Sequence, residues 1–352
     1  MSLETRRRWW LGAAAVSGSA LLVVGALLPV PFVELAPGPT FNTIGEVAGK
    51  PLLDISGTPT YPTSGALDMT TVNERGGPDS SLYLGRVVVG WADPSVRIVP
   101  REAIFPEDQS DAEIAAQNVA EFSDSTSDST AAALTYLHRP YDTLVVVSAV
   151  VGGTPADGHL EPGDQILAID STTIAAPADV TTAMSGVRPG DVVEVRVRRE
   201  GKGDVVERIT STTNPHDPSR AFLGISVGEV YRAPFHLEIT LDGVGGPSAG
   251  MMLSLGIIDK LTPGALTGGR TVAGTGTITP DGQVGAIGGI EQKMVGARRA
   301  GATLFLAPAD NCADVVAGGI PSGLTVAKVS TLAQAVDAVT AYVAGRTVTP
   351  CS

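Results

Sequence analysis

One serine and one lysine in the C-terminal third of the sequence have neighbours that suit nucleophilic chemistry. Ser248 follows Gly245, Gly246 and Pro247 and precedes an apolar run from Met251 to Leu261. Glycine permits positive φ and close backbone approach, and proline suits the first turn of a helix. The pattern predicts a tight turn before a buried helix, with N–H groups near Gly245, Gly246 and Ser248 free to hold an oxyanion. Alone, the same pattern also fits a small-residue turn before a core helix.

Lys293 stands in a second motif, which begins with Thr275. The predicted elements are a strand over Thr275–Thr279, a turn at Pro280–Gly282, a return strand over Gln283–Ile287, and, after Gly288 and Gly289, a helix from about Ile290 to Ala300. Lys293 falls in the first turn of that helix, where the helix dipole disfavours a cation. A lysine becomes a usable general base when its pKa falls from about 10.4 to about 7–8, and desolvation acts in that direction.

The two motifs together, GGPSAG and TGTIT…DGQVGAIGGIEQK, resemble the proteolytic domain of the Lon family of Ser–Lys dyad peptidases over about residues 222–342. The resemblance implies that Ser248 is the nucleophile, Lys293 the general base and Thr275 a residue that orients the lysine. Gly245 stands where ATP-driven members have an acidic residue, and the form GGPSAG is similar to the membrane-anchored, PDZ-containing branch. The family resemblance also implies a homo-oligomer, because Lon-like domains tend to form hexamers.

The N-terminal segment has the composition of a membrane anchor. Residues 1–8 contain three consecutive arginines and predict a cytoplasmic basic tail, whereas residues 9–33 carry no charge. About 20 helical residues cross the roughly 30 Å hydrocarbon core of a bilayer. Because basic residues mark the cytoplasmic end, we expect a single-pass cell-membrane protein with its later domains outside the cytoplasm. A cleaved signal peptide is the alternative.

Residues 34–141 are predicted to form an extracytoplasmic α/β segment, with strands followed by a helical region over 107–137. The run SDSTSDST interrupts that helical pattern and predicts either a loop or a helix cap. As an alternative to a separate segment, its strands could complete the Lon-like fold, with the next module inserted.

Residues 142–213 resemble a PDZ domain of the bacterial protease type, above all in TPADGHLEPGDQILAIDS. Such domains bind a peptide as an added strand beside a helix, so we expect a groove at Val145, Val147, Val180 and Met184. Residues 214–220 predict a linker, and Phe222–Ile225 predict the opening strand of a Lon-like domain at 220–346. The whole is α+β: a transmembrane helix, a β-rich PDZ-like module and a proteolytic α/β domain.

Composition excludes several classes of function. A net charge of −13 argues against nucleic acid as a partner. Two cysteines and four histidines cannot supply a zinc-type cluster, so no metal is expected, and no P-loop string G-x-x-x-x-G-K-[ST] occurs. Cys312 and Cys351 could form a disulfide outside the cytoplasm. His236 is an alternative base, but no acidic residue at a suitable spacing supports it.

These patterns predict a membrane-tethered serine endopeptidase that needs no cofactor and no ATPase of its own, with the PDZ-like module presenting peptide or unfolded protein substrates. Two alternatives stay open. One is a catalytically silent, membrane-tethered peptide-binding scaffold. The other is the peptidase half of an ATP-dependent complex with a separate ATPase.

Overall fold

The computed structural model describes residues 3–77, 80–105, 109–241 and 243–351. Residues 1–2 of the predicted tail 1–8 lie outside the described residues. The chain divides into two compact units, one made of Met1–Leu137 with Phe235–Ser352 and the other of His138–Pro234. Both contain helices and strands, which confirms the predicted α+β class.

The elements before the second unit begin with the long N-terminal helix. In chain order they are α1 (Leu3–Ala26), β1 (Pro29–Val30), β2 (Phe32–Asn42), β3 (Glu46–Val47), β4 (Lys50–Pro51), β5 (Leu53–Ser56), β6 (Ala66–Arg75), β7 (Leu82–Tyr83), α2 (Leu84–Trp91), β8 (Arg97–Pro100), a 3₁₀ turn (Arg101–Ala103) and α3 (Asp111–Tyr136).

The second unit is mostly β. It contains β9 (Asp142–Val150), β10 (Gln165–Ile169), β11 (Thr172–Thr173), α4 (Pro177–Met184), β12 (Val192–Arg199), β13 (Gly203–Thr210), β14 (Thr212–Thr213), β15 (Ala221–Phe222) and β16 (Ile225–Arg232).

The chain then returns to the first unit. The remaining elements are β17 (His236–Ile239), α5 (Gly250–Leu261), β18 (Thr271–Gly274), β19 (Thr277–Ile278), β20 (Val284–Gly285), α6 (Ile290–Arg299), β21 (Leu304–Pro308), a 3₁₀ turn (Ala309–Asn311), α7 (Cys312–Gly318), β22 (Thr325–Val329) and α8 (Leu332–Val343).

A six-stranded sheet joins the two ends of the chain in the first unit. Its order is β22-β21-β18-β6-β2-β8, and β6 runs parallel to β18 with Ala66 opposite Thr271. Residues 34–137 therefore do not form a unit apart from the C-terminal domain, contrary to the predicted boundary between 34–141 and 220–346. The arrangement corresponds to the alternative in which these strands share that domain's sheet and the PDZ-like module is an insertion.

Helix α5 is the core of the first unit. Every residue of Gly250–Leu261 except Lys260 is buried. A helix that is apolar on all sides must be covered on all sides, and α3, α8 and the sheet lie against it. The predicted buried helix over Met251–Leu261 is confirmed, and so is the predicted helix that carries Lys293, which is α6.

Helix α3 runs without interruption through SDSTSDST, where a loop or cap was predicted. Its hydroxyl groups bond within the helix or to its neighbour, since Thr130 Oγ1 donates to Thr126 O at 3.0 Å and Ser125 Oγ to Pro247 O at 3.0 Å. Serine and threonine disfavour helix interiors because they compete for backbone groups. In α3 these hydroxyl groups donate to carbonyls of the helix itself or of the Ser248 turn, so the helix continues through them.

The second unit is built on one antiparallel sheet of order β13-β12-β10-β9-β16, with β11 paired to β10. Strand β16 lies at its edge and pairs with β9 along its length, with Arg232 opposite Asp142. The prediction that Phe222–Ile225 opens the Lon-like domain is wrong, because Leu223 is buried in the core of the second unit. Residues 214–220 likewise form a turn inside this unit, closed by Asn214 N–H donating to Arg220 O at 2.9 Å.

Candidate active site

The structure brings the predicted serine and lysine into direct contact. Lys293 Nζ donates a hydrogen bond to Ser248 Oγ at 2.8 Å and a second to Thr275 Oγ1 at 3.1 Å. Lys293 is 3% exposed and Thr275 is fully buried. The three side chains form a closed polar cluster, in which one amine faces two hydroxyl groups.

Elements that are distant in sequence hold this cluster together. Thr275 directly follows β18, and its Oγ1 donates to Ser248 O at 3.0 Å while Gly276 N–H donates to the same carbonyl at 3.0 Å. Gly289 is the N-cap of α6 with a φ of 67°, and a Cβ at this position would meet Val72 Cγ2 at 2.6 Å. Glycine therefore lets the first turn of the lysine helix approach β6 closely.

Helix α3 contacts the turn that carries Ser248 from the other side. Gly246 N–H donates to Asn118 O at 2.9 Å, and Ser125 Oγ holds Pro247 O. Since its N–H is already engaged, Gly246 is not free to bind an oxyanion in this conformation. The N–H groups of Gly245 and Ser248 have no acceptor within the part of the chain that the structure describes.

Burial changes the protonation of the site. It lowers the pKa of Lys293 from 10.5 to about 8, while the negative charge of Glu74 acts in the opposite direction and raises it. In turn, burial raises the pKa of Glu74 and Lys293 lowers it. A base with a pKa about one unit above neutrality is neutral in about one molecule in ten at pH 7.

A cleft of about 750 Å³ leads to the dyad. Its walls include apolar side chains and two carboxylates, Glu74 from β6 and Glu121 from α3. No sequence motif indicates either carboxylate, because both come from a segment that meets the motifs only in the folded chain. A cleft of this size has room for several residues of an extended chain.

The second unit has a separate groove of about 250 Å³, whose lining includes Val180, Met184, Leu223 and Gly224. The structure places Val180 and Met184 at this groove, as predicted, but not Val145 and Val147. Those two valines are buried in the core, since β9 lies between β10 and β16 and has no free edge. The strand beside the groove is β16, which the sequence reading assigned to the other domain.

The remaining candidates have structural positions. Cys312 and Cys351 form a disulfide with a Cα–Cα distance of 5.0 Å. His236 is exposed on β17, with its Nε2 3.7 Å from Glu238 Oε2, and is not a lining residue of the cleft. Within the described residues, no group of three or more His, Cys, Asp or Glu side chains could hold a metal ion.

Comparison with known families gives two matches within the chain. Residues 121–207 match the PDZ domain family, and residues 236–342 match the Lon protease (S16) C-terminal proteolytic domain. The first match begins inside α3, which belongs to the first structural unit, and it ends before β16.

Curated relatives are Lon proteases. The chain is 38% identical over 107 residues to Lon protease 1 of Bacillus subtilis, 41% over 95 residues to Lon protease 2 of Herpetosiphon aurantiacus and 30% over 189 residues to Lon protease of Azospirillum brasilense. These alignments cover 29%, 26% and 52% of this chain but only 14%, 11% and 21% of the relatives. The chain thus spans about a fifth of their length or less.

Two solved structures are each similar to about a quarter of this chain. One is the PDZ domain of an SdrC-like protein from Listeria monocytogenes, at 24% identity and a TM-score of 0.22, covering 25% of this chain and 90% of that one. Another is a solution structure from Geobacillus thermodenitrificans, at 30% identity and a TM-score of 0.22, covering 24% of this chain and 94% of that one.

Proposed function

Because this chain contains a PDZ domain and the C-terminal proteolytic domain of the Lon proteases (S16), a serine (Ser–Lys) peptidase domain, we propose that it is a membrane-tethered serine endopeptidase that cleaves without an ATPase of its own. The observation that carries the proposal is the 2.8 Å contact between Nζ of the buried Lys293 and Oγ of Ser248, which lines the cleft. Hydrogen-bond reach between a nucleophile and its base is the geometric requirement for this chemistry.

Neutral Lys293 accepts the proton of Ser248 as Ser248 Oγ forms a bond to the scissile carbonyl carbon. The lysine then gives that proton to the leaving amine as the peptide C–N bond breaks. Water repeats the sequence on the acyl-enzyme with the same base. The N–H groups of Ser248 and Gly245 are the donors to the oxyanion, and Thr275 keeps the amine aimed at the hydroxyl.

The test is cleavage of unfolded casein by the purified full chain in detergent, without nucleotide. We expect turnover that Ser248→Ala and Lys293→Ala each reduce by at least about 10³-fold, since single losses from such a unit cost most of the catalysis. The matched controls are Ser322→Ala and Lys260→Met, which remove the same functional groups away from the cleft.

Two other outcomes would favour the alternatives. Peptide binding without turnover, unchanged by the dyad substitutions, would indicate a silent scaffold. Turnover only with ATP and a separate ATPase would indicate one half of an ATP-dependent complex.

The groove of the second unit supports a peptide-binding role. An extended peptide would add to the free edge of β16 and face α4, through Val180 and Met184. We expect Val180→Asp to abolish binding of an apolar peptide, and comparison of free with amidated peptides to show whether a C-terminal carboxylate is required. Equal binding by Val180→Asp would contradict this location.

Two observations support an extracytoplasmic, membrane-anchored location. Trp9–Ala26, with a mean hydropathy of 1.6, is long and apolar enough to cross a bilayer, although a signal sequence passes the same test. The Cys312–Cys351 disulfide fits an oxidising compartment. Flotation with vesicles tests the anchor, and protease protection in spheroplasts tests the orientation.

A further inference from the structure

Helix α2 has a single charged residue and an otherwise apolar surface. That residue, Arg86, has a side chain that is 40% exposed, and it donates from Nη2 to Glu34 Oε1 at 2.6 Å, where Glu34 is fully buried. Val87 and Gly90 are the buried residues of the helix. Surface helices normally turn charged residues to solvent, so the outward face of α2 needs a different explanation.

That outward face is apolar and exposed. Leu84, Val88 and Trp91 follow one another at the spacing i, i+4, i+7 of a single helix face, and they are 37%, 55% and 66% exposed. Tyr83 and Val89 extend the patch and are also exposed. Contiguous exposed apolar surface in a protein usually marks an interaction site.

The patch is continuous with the end of the apolar helix α1. Leu84 N–H donates to Leu28 O at 2.9 Å, and a Cβ on Gly85 would meet Ala26 Cβ at 3.0 Å. The candidate membrane span ends at Ala26. Helix α2 therefore begins where the chain leaves the hydrocarbon core, and its eight residues extend only about 12 Å from that point.

We propose that α2 lies in the interface of the bilayer that α1 crosses, with Leu84, Val88 and Trp91 among the lipids. The proposal depends on the membrane anchoring given under Proposed function. Tryptophan and tyrosine favour this depth because their rings are apolar with one polar group. Leu84, Val88 and Trp91 are uncharged and the one cation of α2, Arg86, is paired with Glu34, so the insertion is chiefly hydrophobic. The pairing of Arg86 with Glu34 of β2 then fixes the central sheet to the membrane surface.

Trp91 is a natural reporter, because the sequence has only two other tryptophans, Trp9 and Trp10. The full chain with W9F and W10F is reconstituted into phosphatidylcholine vesicles with or without brominated acyl chains. We expect blue-shifted Trp91 emission, quenching of at least about half by shallow brominated lipid and several-fold protection from iodide. The matched control is W91F with V316W in the same background, which places the reporter at another exposed apolar position of the first unit. Its tryptophan should show no blue shift, little quenching by brominated lipid and no protection from iodide.

Val88→Asp is the second variant, since a carboxylate in the patch opposes insertion but faces away from the core. We expect it to float with the vesicles while Trp91 loses its lipid quenching. The chain without Val88→Asp could float with the vesicles while its Trp91 is not quenched by brominated lipid. That result would overturn this inference and leave the anchor and the peptidase intact. A chain that does not float would overturn the anchor and this inference together, and casein cleavage would still test the peptidase.

Discussion

As the proposed general base, Lys293 has to be buried to meet Ser248 and uncharged to accept its proton, and at neutral pH these two conditions conflict. Burial brings the pKa of Lys293 down to about 8, and Glu74 across the cleft partly reverses that shift. Glu74 does not touch the reacting atoms. In the proposed mechanism it acts through Lys293, because its negative charge raises the pKa of the lysine and so lowers the fraction of molecules in which the lysine is neutral.

The activity should therefore rise with pH, with kcat/KM following an apparent pKa near 8. Glu74→Gln removes the negative charge that favours the lysine cation, so the rising limb should move to lower pH. Rates at pH 6–7 should increase by a few-fold, measured on a fluorogenic peptide. Asp337→Asn, on the exposed face of α8, is the control. A limb that stays in place or moves upward in Glu74→Gln would rule out this electrostatic role.

The same pKa shift has a consequence for stability. The native state holds the lysine proton less tightly than the unfolded state does. The burial of Lys293 therefore lowers the free energy of unfolding, fully below pH 8 and progressively less as pH rises towards 10.5. At about 1.4 kcal/mol per pKa unit this cost is roughly 3 kcal/mol. We expect Lys293→Met to be inactive but to have a higher free energy of unfolding at pH 7 than the natural chain. The loss of the two lysine hydrogen bonds makes this gain smaller than the full cost of burying the charge.

Urea unfolding at pH 7 and pH 10 checks this expectation. The difference between Lys293→Met and the natural chain should shrink at the higher pH. A difference that is the same at both values would show that the lysine is not held against an unfavourable charge.

Among the elements, α3 is the one that supports Ser248, the proposed nucleophile. It comes from the segment before the inserted unit, yet its Ser125 and Asn118 hold the turn that carries Ser248. Helix α5 continues that turn and is buried against α3. The nucleophile is thus supported from both sides by rigid helices.

Ser125→Ala removes the hydrogen bond to Pro247 O and leaves that partly buried carbonyl without this donor. A loss of about 1–2 kcal/mol in positioning corresponds to a roughly ten-fold lower kcat. We expect KM and the pH profile to change little, since neither the cleft nor Lys293 is altered. Ser125→Thr should restore part of the rate. Thr126→Ala is the control, because its hydroxyl bonds only to Ser123 O within the helix. Equal kcat in Ser125→Ala and Thr126→Ala would contradict the positioning role.

The C-terminal tail is held to the first unit by the disulfide between residues 39 apart. In the chain-entropy account, a closed loop of that length contributes about 4 kcal/mol. We expect the C312S/C351S double substitution to lower the free energy of unfolding by up to this amount, measured in urea without reductant. Dithiothreitol should destabilise the natural chain and leave the double variant unchanged.

At the scale of the whole molecule, one domain is interrupted by another. The second unit occupies His138–Pro234, and its first and last strands pair with Asp142 opposite Arg232. Paired residues on antiparallel strands lie about 5 Å apart. An inserted domain with adjacent ends can be removed without stretching its host.

Replacing residues 138–234 with a short Gly-Ser linker should leave a folded peptidase. We expect it to cleave casein within a few-fold of the natural rate and to lose binding of apolar peptides. Circular dichroism and the casein assay check both points. A folded variant without casein cleavage would mean that catalysis itself requires the second unit. The hexamer implied by family resemblance stays a prediction, and light scattering of both proteins would test it.

Patterns of neighbouring residues predicted the local features. Glycine and proline spacing located the turn at Ser248, a mostly apolar run predicted α5, and two ordered motifs paired Ser248 with Lys293 and Thr275. The folded structure was needed to show that Glu74 of β6 and Ser125 of α3 lie at the site, and that β16 rather than β9 lies beside the groove. Local backbone preferences are readable from neighbouring residues. Strand pairing across an inserted domain depends on contacts between distant segments, which no short pattern encodes.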